Sequence, residues 1–317
     1  MVSVATTDCR RISSFKPFPA LPISPTLGRY LRAALSVPLA LGAYRLWQVL
    51  EVCWLAPLGP QAQAAATLGA SLRWLALSIS VGLATAGMGL IGERVAQQDQ
   101  RGANAVTWLV GALALLASVV LSLLGLLLAP YLVSLLALPA ELCQPTLAYL
   151  RTALAGLAPM GVLLALGAVW QAVGGSPLMV LLQLPAWGLA IVSLQPLVYG
   201  QPGLGIAGAA LAAGLGAALM ASMQVMLLGR GWGSAVRLER SSLVLVPRYL
   251  LPLLRRAGRP VLQLAGCALA QAILMSVIAG SGVMVLAGFA AARALLLLLL
   301  VPSLALGNIA ALAGVSA

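Results

Sequence analysis

Eight apolar runs dominate this chain, at about residues 31–58, 68–91, 106–136, 147–173, 178–198, 204–228, 260–278 and 283–314. A helix needs roughly 20 apolar residues to cross about 30 Å of hydrocarbon, and each run has about that length or more. The spacing therefore predicts an all-α, polytopic membrane helix bundle of eight spans. The rest of the composition agrees: 62% of the 317 residues are hydrophobic and 8% are charged, well outside the range of soluble domains.

The same composition removes most enzyme chemistry. Six acidic residues and no histidine leave almost nothing from which to build carboxylate pairs, Ser-His-Asp sets or histidine metal sites. No phosphate-cradling GxxxxGK[ST] stretch occurs, and no GxGxxG follows a strand. The chain is expected to be no enzyme and to use no metal or cofactor. Cys9, Cys53, Cys143 and Cys267 are far apart, so neither a disulfide framework nor a zinc site is indicated.

The net charge is +12, a value that in a soluble protein would suggest nucleic acid. Its placement suggests a membrane instead. Arg10, Arg11, Lys16, Arg29 and Arg32 lie before or at the very start of the first run, and Arg230, Arg237, Arg240, Arg248, Arg255, Arg256 and Arg259 lie together between the sixth and seventh. Arg94 and Arg101 mark the second loop, whereas the third, fifth and seventh loops have no Lys or Arg. Basic loops stay on the cytoplasmic side, so the N-terminus is expected inside a plasma (inner) membrane. Arg73 and Arg151, near outer loops, are expected to snorkel from helix ends. Arg10-Arg11 faintly suggests an export signal, but Pro17, Pro19, Pro22 and Pro25 interrupt what would be its apolar region. The expected organisation is a disordered tail over 1–30, a six-helix lobe over 31–229, a basic linker over 230–259 and two further helices over 260–317.

Pro38, Pro130, Pro159, Pro185, Pro196 and Pro302 fall inside apolar runs, where neighbouring helices can accommodate them as kinks. Small residues crowd the sixth span, permitting close helix packing. A weak repeat is also visible. Pro38, Gly59 and Gly92 are spaced much as Pro260, Gly282 and Gly314 are, so spans seven and eight echo spans one and two.

Four segments together are similar to one family. LEVCWLAPLG (50–59), VGLATAGMGLIGERVAQQDQRGAN (81–104), AYLRTALAGLAPMG (148–161) and QPLVYGQPGLGIAGAALA (195–212) resemble helices one, two and four and the fifth-to-sixth connection of multidrug and toxic compound extrusion transporters. The resemblance covers roughly 31–317. It implies two six-helix lobes that rock to alternate access while organic cations are exported against protons or sodium. The sequence departs from that pattern in ending within the eighth helix and in reading AQQDQ where a Gly-rich turn is expected. The paired Asn and Asp of the family's fifth helix fall on Ile191 and Gln195.

Glu51 is the single acidic residue within the eight runs, and counting back from Gly59 it falls at the family's first-helix Asp. An ionised carboxylate at bilayer depth costs about 2.5 to 3.5 kcal/mol on insertion scales. It must therefore be neutral or face a polar cavity, and a group that alternates between the two is a protonation site. Tyr44, Gln48 and Glu51 lie within about 60° on a helix and form a polar stripe. Arg45 is about 120° from Glu51, unsuited to a direct pair.

Tyr149, Gln171 and Gln195 are further candidates for the cavity wall, although interfacial anchoring explains Tyr149 equally. Gln195 can hydrogen-bond but cannot titrate. Arg293 in the eighth run suits a lobe interface or pairing with a backbone carbonyl. Trp47, Trp54, Trp74, Trp108, Trp170 and Trp187 suit either cation-π contacts or an interface belt. The expected function is proton- or sodium-coupled antiport of organic cations, with the bilayer, a small cation and the coupling ion as partners and Glu51 as the protonation site. Two readings stay open beside it: a lipid-linked sugar flippase with a basic cavity, and a non-transporting remnant or scaffold.

Overall fold

The structure, a computed structural model, describes residues 42, 45–173, 177–200, 203–232, 234 and 236–303. These residues form an all-helical bundle. Helix α1 covers 45–55, followed by a 3-10 turn at Ala56–Leu58. Next come α2 (Pro60–Ala96), α3 (Gln100–Leu135), α4 (Ala140–Ala155), α5 (Leu157–Ala172), α6 (Pro177–Tyr199) and α7 (Ile206–Arg230). A second 3-10 turn, Arg240–Leu245, leads into α8 (Val246–Gly280) and α9 (Val283–Leu299). Among the described residues, five helices are long and apolar enough to cross a membrane, or six if a bent pair counts as one.

That bent pair is α4 and α5, which together make the expected fourth span and meet at 55°. Pro159 explains the break, since it has no N–H to offer the carbonyl of Ala155. On the far side of the bend, the Ser122 hydroxyl of α3 donates to the Leu154 carbonyl at 2.8 Å. A neighbouring helix thus supplies the donor that irregular backbone in a membrane requires. Pro130, by contrast, lies inside an unbroken α3.

Helix α2 is the hub. It packs against α3, α4, α5 and α9, and most extensively against α8. The α2–α8 pairing is antiparallel: Arg256 meets Glu93 near one end, Gln271 meets Ser71 further along, and Met275 and Ala279 join Ala64, Ala65 and Leu68 at the other end. α9 in turn lines one cavity with α1, and Val301, just past α9, is next to Gly42, just before α1. The first two helices therefore cross the last two. The backbone repeats the relation that the spacing suggests. Gly59 (φ 94°) and Gly282 (φ 125°) are the N-caps of α2 and α9, in a conformation that glycine adopts at no steric cost.

Two element boundaries differ from expectation. α8 begins at Val246 rather than at Pro260, so Arg248, Arg255, Arg256 and Arg259 sit on the first turns of a helix and not in an irregular linker. α2 begins at Pro60 rather than Leu68. The tail over 1–30, Pro38 and Gly314 lie outside the described residues.

Candidate functional site: a charged cavity between α1, α2, α4 and α9

α1 buries Trp47, Glu51 and Leu55, one face of a helix at i, i+4, i+8. Trp47 stacks on Trp187 of α6, with ring centroids 5.7 Å apart, which fixes the rotation of α1. Glu51 is thereby turned inward. Its carboxylate accepts a 2.9 Å hydrogen bond from the Tyr149 hydroxyl of α4. Tyr149 is completely buried, and its ring lies over Gly69 of α2 so closely that a Cβ there would collide with it. A side chain on α2 at that position would displace the phenol from the carboxylate.

The carboxylate opens onto a cavity of about 60 Å³ whose polar lining includes Gln48, Gln63, Thr67, Arg73 and Arg293. Gln48 accepts from Arg45 at 2.7 Å, and Gln63 donates to the Val52 carbonyl at 2.9 Å, tying the start of α2 to α1. A volume of this size holds about two waters. Drug-sized pockets run from about 300 Å³ upward, so a larger cargo requires the helices to part.

Arg73 is 5% exposed, and its charge acts on Glu51. The expectation that it snorkels from a helix end is therefore corrected. Because α2 starts at Pro60, Arg73 lies about 20 Å along the helix, at bilayer depth. Arg293 lies about 15 Å into α9 and Glu51 about 12 Å before Gly59, and all three charges line the same cavity. Arg151 is exposed.

The remaining candidates divide. Gln48 and Tyr149 line the cavity with Glu51. Tyr44 lies outside the described residues. Gln195 does not join them: α6 buries Trp187, Ala190, Leu194 and Val198, and a residue one step past Leu194 is turned about 100° away from that face. Gln195 is accordingly exposed. Gln171 is also exposed and lies at the far end of α5, beyond the bend, where neighbouring Ala172 approaches Gly92 near the end of α2. The expectation that Gln171 and Gln195 line the cavity is corrected on those grounds. Trp170 is buried with Leu166 and Val169 in the core shared by α2, α3, α5 and α7.

A second polar cluster closes the other end of the bundle. Asp99 caps α3 by accepting from the Gly102 N–H at 2.9 Å, and Arg94 lies 3.7 Å from its carboxylate. Tyr249 of α8 donates to Asp99 at 3.4 Å while its ring lies under the Arg94 guanidinium. Arg256 of α8 pairs with Glu93 at 2.6 Å. Asn104 accepts from the Arg237 N–H at 2.8 Å.

Comparison with known proteins agrees with this architecture. Residues 39–193 match the family model MatE. Among solved structures, one described as the inward-facing conformation of a multidrug resistance MATE family transporter of the MOP superfamily is 22% identical with a TM-score of 0.73, covering 86% of this chain and 62% of that one. A MATE protein in complex with MaL6 is 21% identical, with a TM-score of 0.76 and coverage of 89% and 62%. A MOP superfamily transporter from Pyrococcus furiosus, described as having a binding pocket of reverse polarity that suggests a different function, is 22% identical, with a TM-score of 0.71 and coverage of 89% and 62%. The chain thus spans about 62% of the length of these structures. No curated protein matches the sequence.

Proposed function

We propose that this chain, whose residues 39–193 match the family model MatE, works as a secondary active transporter by alternating access, with Glu51 as its proton-coupling residue. The observation that carries the reading is the burial of Glu51 in a polar cavity at the α1–α9 crossing, hydrogen-bonded by Tyr149 and beside Arg73. A carboxylate at this depth needs those partners when charged and depends on them less when protonated. Protonation therefore changes what holds the two helix pairs together, and that is the requirement for coupling a proton to a conformational change. The arginine-rich end of the bundle, with the turns α2–α3 and α7–α8, faces the cytoplasm of a plasma (inner) membrane on the positive-inside rule.

For cargo, the family resemblance points to organic cations exported against protons. An ionised Glu51 attracts the cation and a protonated one releases it. A second reading, an anionic cargo such as a lipid-linked sugar, is favoured by the two arginines that line the same cavity. The test of the coupling residue is flux in proteoliposomes under an imposed pH gradient, followed with tetraphenylphosphonium and with a labelled carboxylate. Wild type is expected to move one of them at a rate set by the gradient, and Glu51→Gln to lose that dependence. Gradient-driven flux that survives Glu51→Gln unchanged would refute the reading.

A further inference from the structure

The first turns of α8 present two faces. Tyr249, Leu253 and Ala257 are buried against the bundle, and Arg256, beside them, pairs with Glu93. Arg248, Arg255 and Arg259 are turned the other way: on an ideal helix they fall within about 40° of one another and about 140° from the buried face. All three are exposed among the described residues. They take no part in the polar contacts of the α2–α8 seam, where Glu93 and Asp99 are engaged by Arg256, Arg94 and Tyr249.

Past Arg259 the same face changes character. Leu262, Leu269 and Ile273 continue its line of positions and are exposed, and the helix runs on through Pro260 without a break. Among them stands Gly266, where an added side chain would meet open space. The change from arginine to leucine marks where α8 passes from the polar surface of a bilayer into hydrocarbon. Arg255 and Arg259 are one turn apart, about 6 Å, at the level of the lipid phosphates. Leu269 lies about 15 Å beyond Arg259, which is half of a hydrocarbon core about 30 Å thick. Charge and length on this face therefore match one phospholipid, head group and chain. Arg248 adds an independent reason for an anion here. It stands in the first turn of α8, which holds no acidic residue, at the end of a helix dipole that disfavours a cation and favours a negative charge.

We infer that α8 holds an anionic phospholipid from the leaflet at the arginine-rich end, with its phosphate between Arg255 and Arg259 and an acyl chain over Gly266. Guanidinium groups offer phosphate oxygens parallel N–H donors. A zwitterionic lipid has the same phosphate but brings a cation with it, so net charge sets the preference. The opposite face of these turns closes the seam through Tyr249 and Arg256, so the bound lipid braces the helix on which the closed end depends. The site does not involve Glu51 and stands or falls apart from proton coupling.

Native mass spectrometry of the full chain tests this, with the protein released from micelles that hold equal amounts of phosphatidylglycerol and phosphatidylcholine of matched chains. Wild type is expected to retain phosphatidylglycerol over phosphatidylcholine by at least about tenfold, because each arginine near the surface contributes about fivefold. The double variant Arg255→Gln with Arg259→Gln is expected to lose that preference, and Arg255→Lys with Arg259→Lys to keep part of it. Arg101→Gln, which removes an exposed arginine of α3 at the same end, is expected to behave as wild type does. Gly266→Leu is expected to lower retention of the long-chain lipid severalfold and to leave that of dihexanoyl phosphatidylglycerol unchanged. Thermal melting in phosphatidylcholine alone separates these effects from damage to the fold: all the variants are expected to melt there as wild type does, and the double Arg→Gln variant to gain no stability when phosphatidylglycerol is added. Equal retention of the two lipids by wild type, or a loss in the double Arg→Gln variant no larger than in Arg101→Gln, overturns the inference. Full retention of the long-chain lipid by Gly266→Leu overturns the placement of its chain.

Discussion

Glu51 illustrates how one residue can be legible in a sequence while its surroundings are not. A single acid within eight apolar runs stands out without a structure, and helical spacing alone assigns Gln48 to its face. Tyr149 is named by the same reading, but its 2.9 Å bond to Glu51 joins residues 98 positions apart, which no local pattern shows. A hydrogen bond to a charged acceptor is worth about 1.5–3 kcal/mol. Tyr149→Phe keeps the packed ring and is expected to lower stability by about that amount at a pH where Glu51 is ionised, and to do so less in a Glu51→Gln background, as read by a thermal-unfolding double-mutant cycle. Equal losses in both backgrounds would mean that Tyr149 only packs. Arg73 escaped the sequence reading because Gln61 and Gln63 dilute the start of the second apolar run. By composition the run then begins at Leu68, which puts Arg73 near a helix end.

At the scale of elements, the apolar runs coincide with helices wherever their residues are described, because bilayer thickness imposes their length. What the runs could not show is where a helix extends past its apolar stretch. α8 is a case in point: its first turns carry Arg248, Arg255, Arg256 and Arg259, with Tyr249, Leu253 and Ala257 as the buried face. The bend between α4 and α5 was partly legible, since Pro159 was among six prolines in apolar runs, but periodicity does not tell which proline breaks its helix. The miss at Gln171 follows from it: beyond the bend, distance along the span no longer measures distance from Tyr149. The antiparallel α2–α8 seam makes its own prediction. Ser71 and Gln271 are in hydrogen-bond contact at 3.2 Å, so cysteines at both positions, in a background lacking the native cysteines, are expected to cross-link on oxidation. If the seam must slide or part during transport, the cross-link stops flux and reductant restores it. Unimpaired flux in the cross-linked protein would mean that α2 and α8 move as one body.

For the whole molecule, the two polar clusters lie at different depths and have different tasks. The Glu51 layer sits within the bilayer where α1 and α9 approach. The cluster of Glu93, Arg94, Asp99, Tyr249 and Arg256 closes the α2–α8 seam at the arginine-rich end. The Glu93–Arg256 pair is about half exposed, and such pairs contribute less than about 1 kcal/mol. Charge reversal at Arg256 alone is therefore expected to leave stability nearly unchanged. It should raise accessibility of this end to a water-soluble thiol reagent, read at a cysteine placed at Gly258, and the double reversal Glu93→Arg with Arg256→Glu should reverse the gain. Equal accessibility in all three proteins would show that this contact does not hold the end shut.

Proton-coupled transport by this chain requires above all that Glu51 gain and lose a proton in a cavity that reagents reach. A hydrophobic carbodiimide reacts with protonated carboxyl groups at bilayer depth, and Glu51 is the one acid within the apolar runs, so mass spectrometry of the labelled peptide reads its state directly. Labelling at Glu51 is predicted to rise as pH is lowered and to fall when a transported cargo is present. Labelling that is the same at every pH, or unaffected by every cargo that the protein moves, would contradict the claim that this carboxyl couples protons to transport.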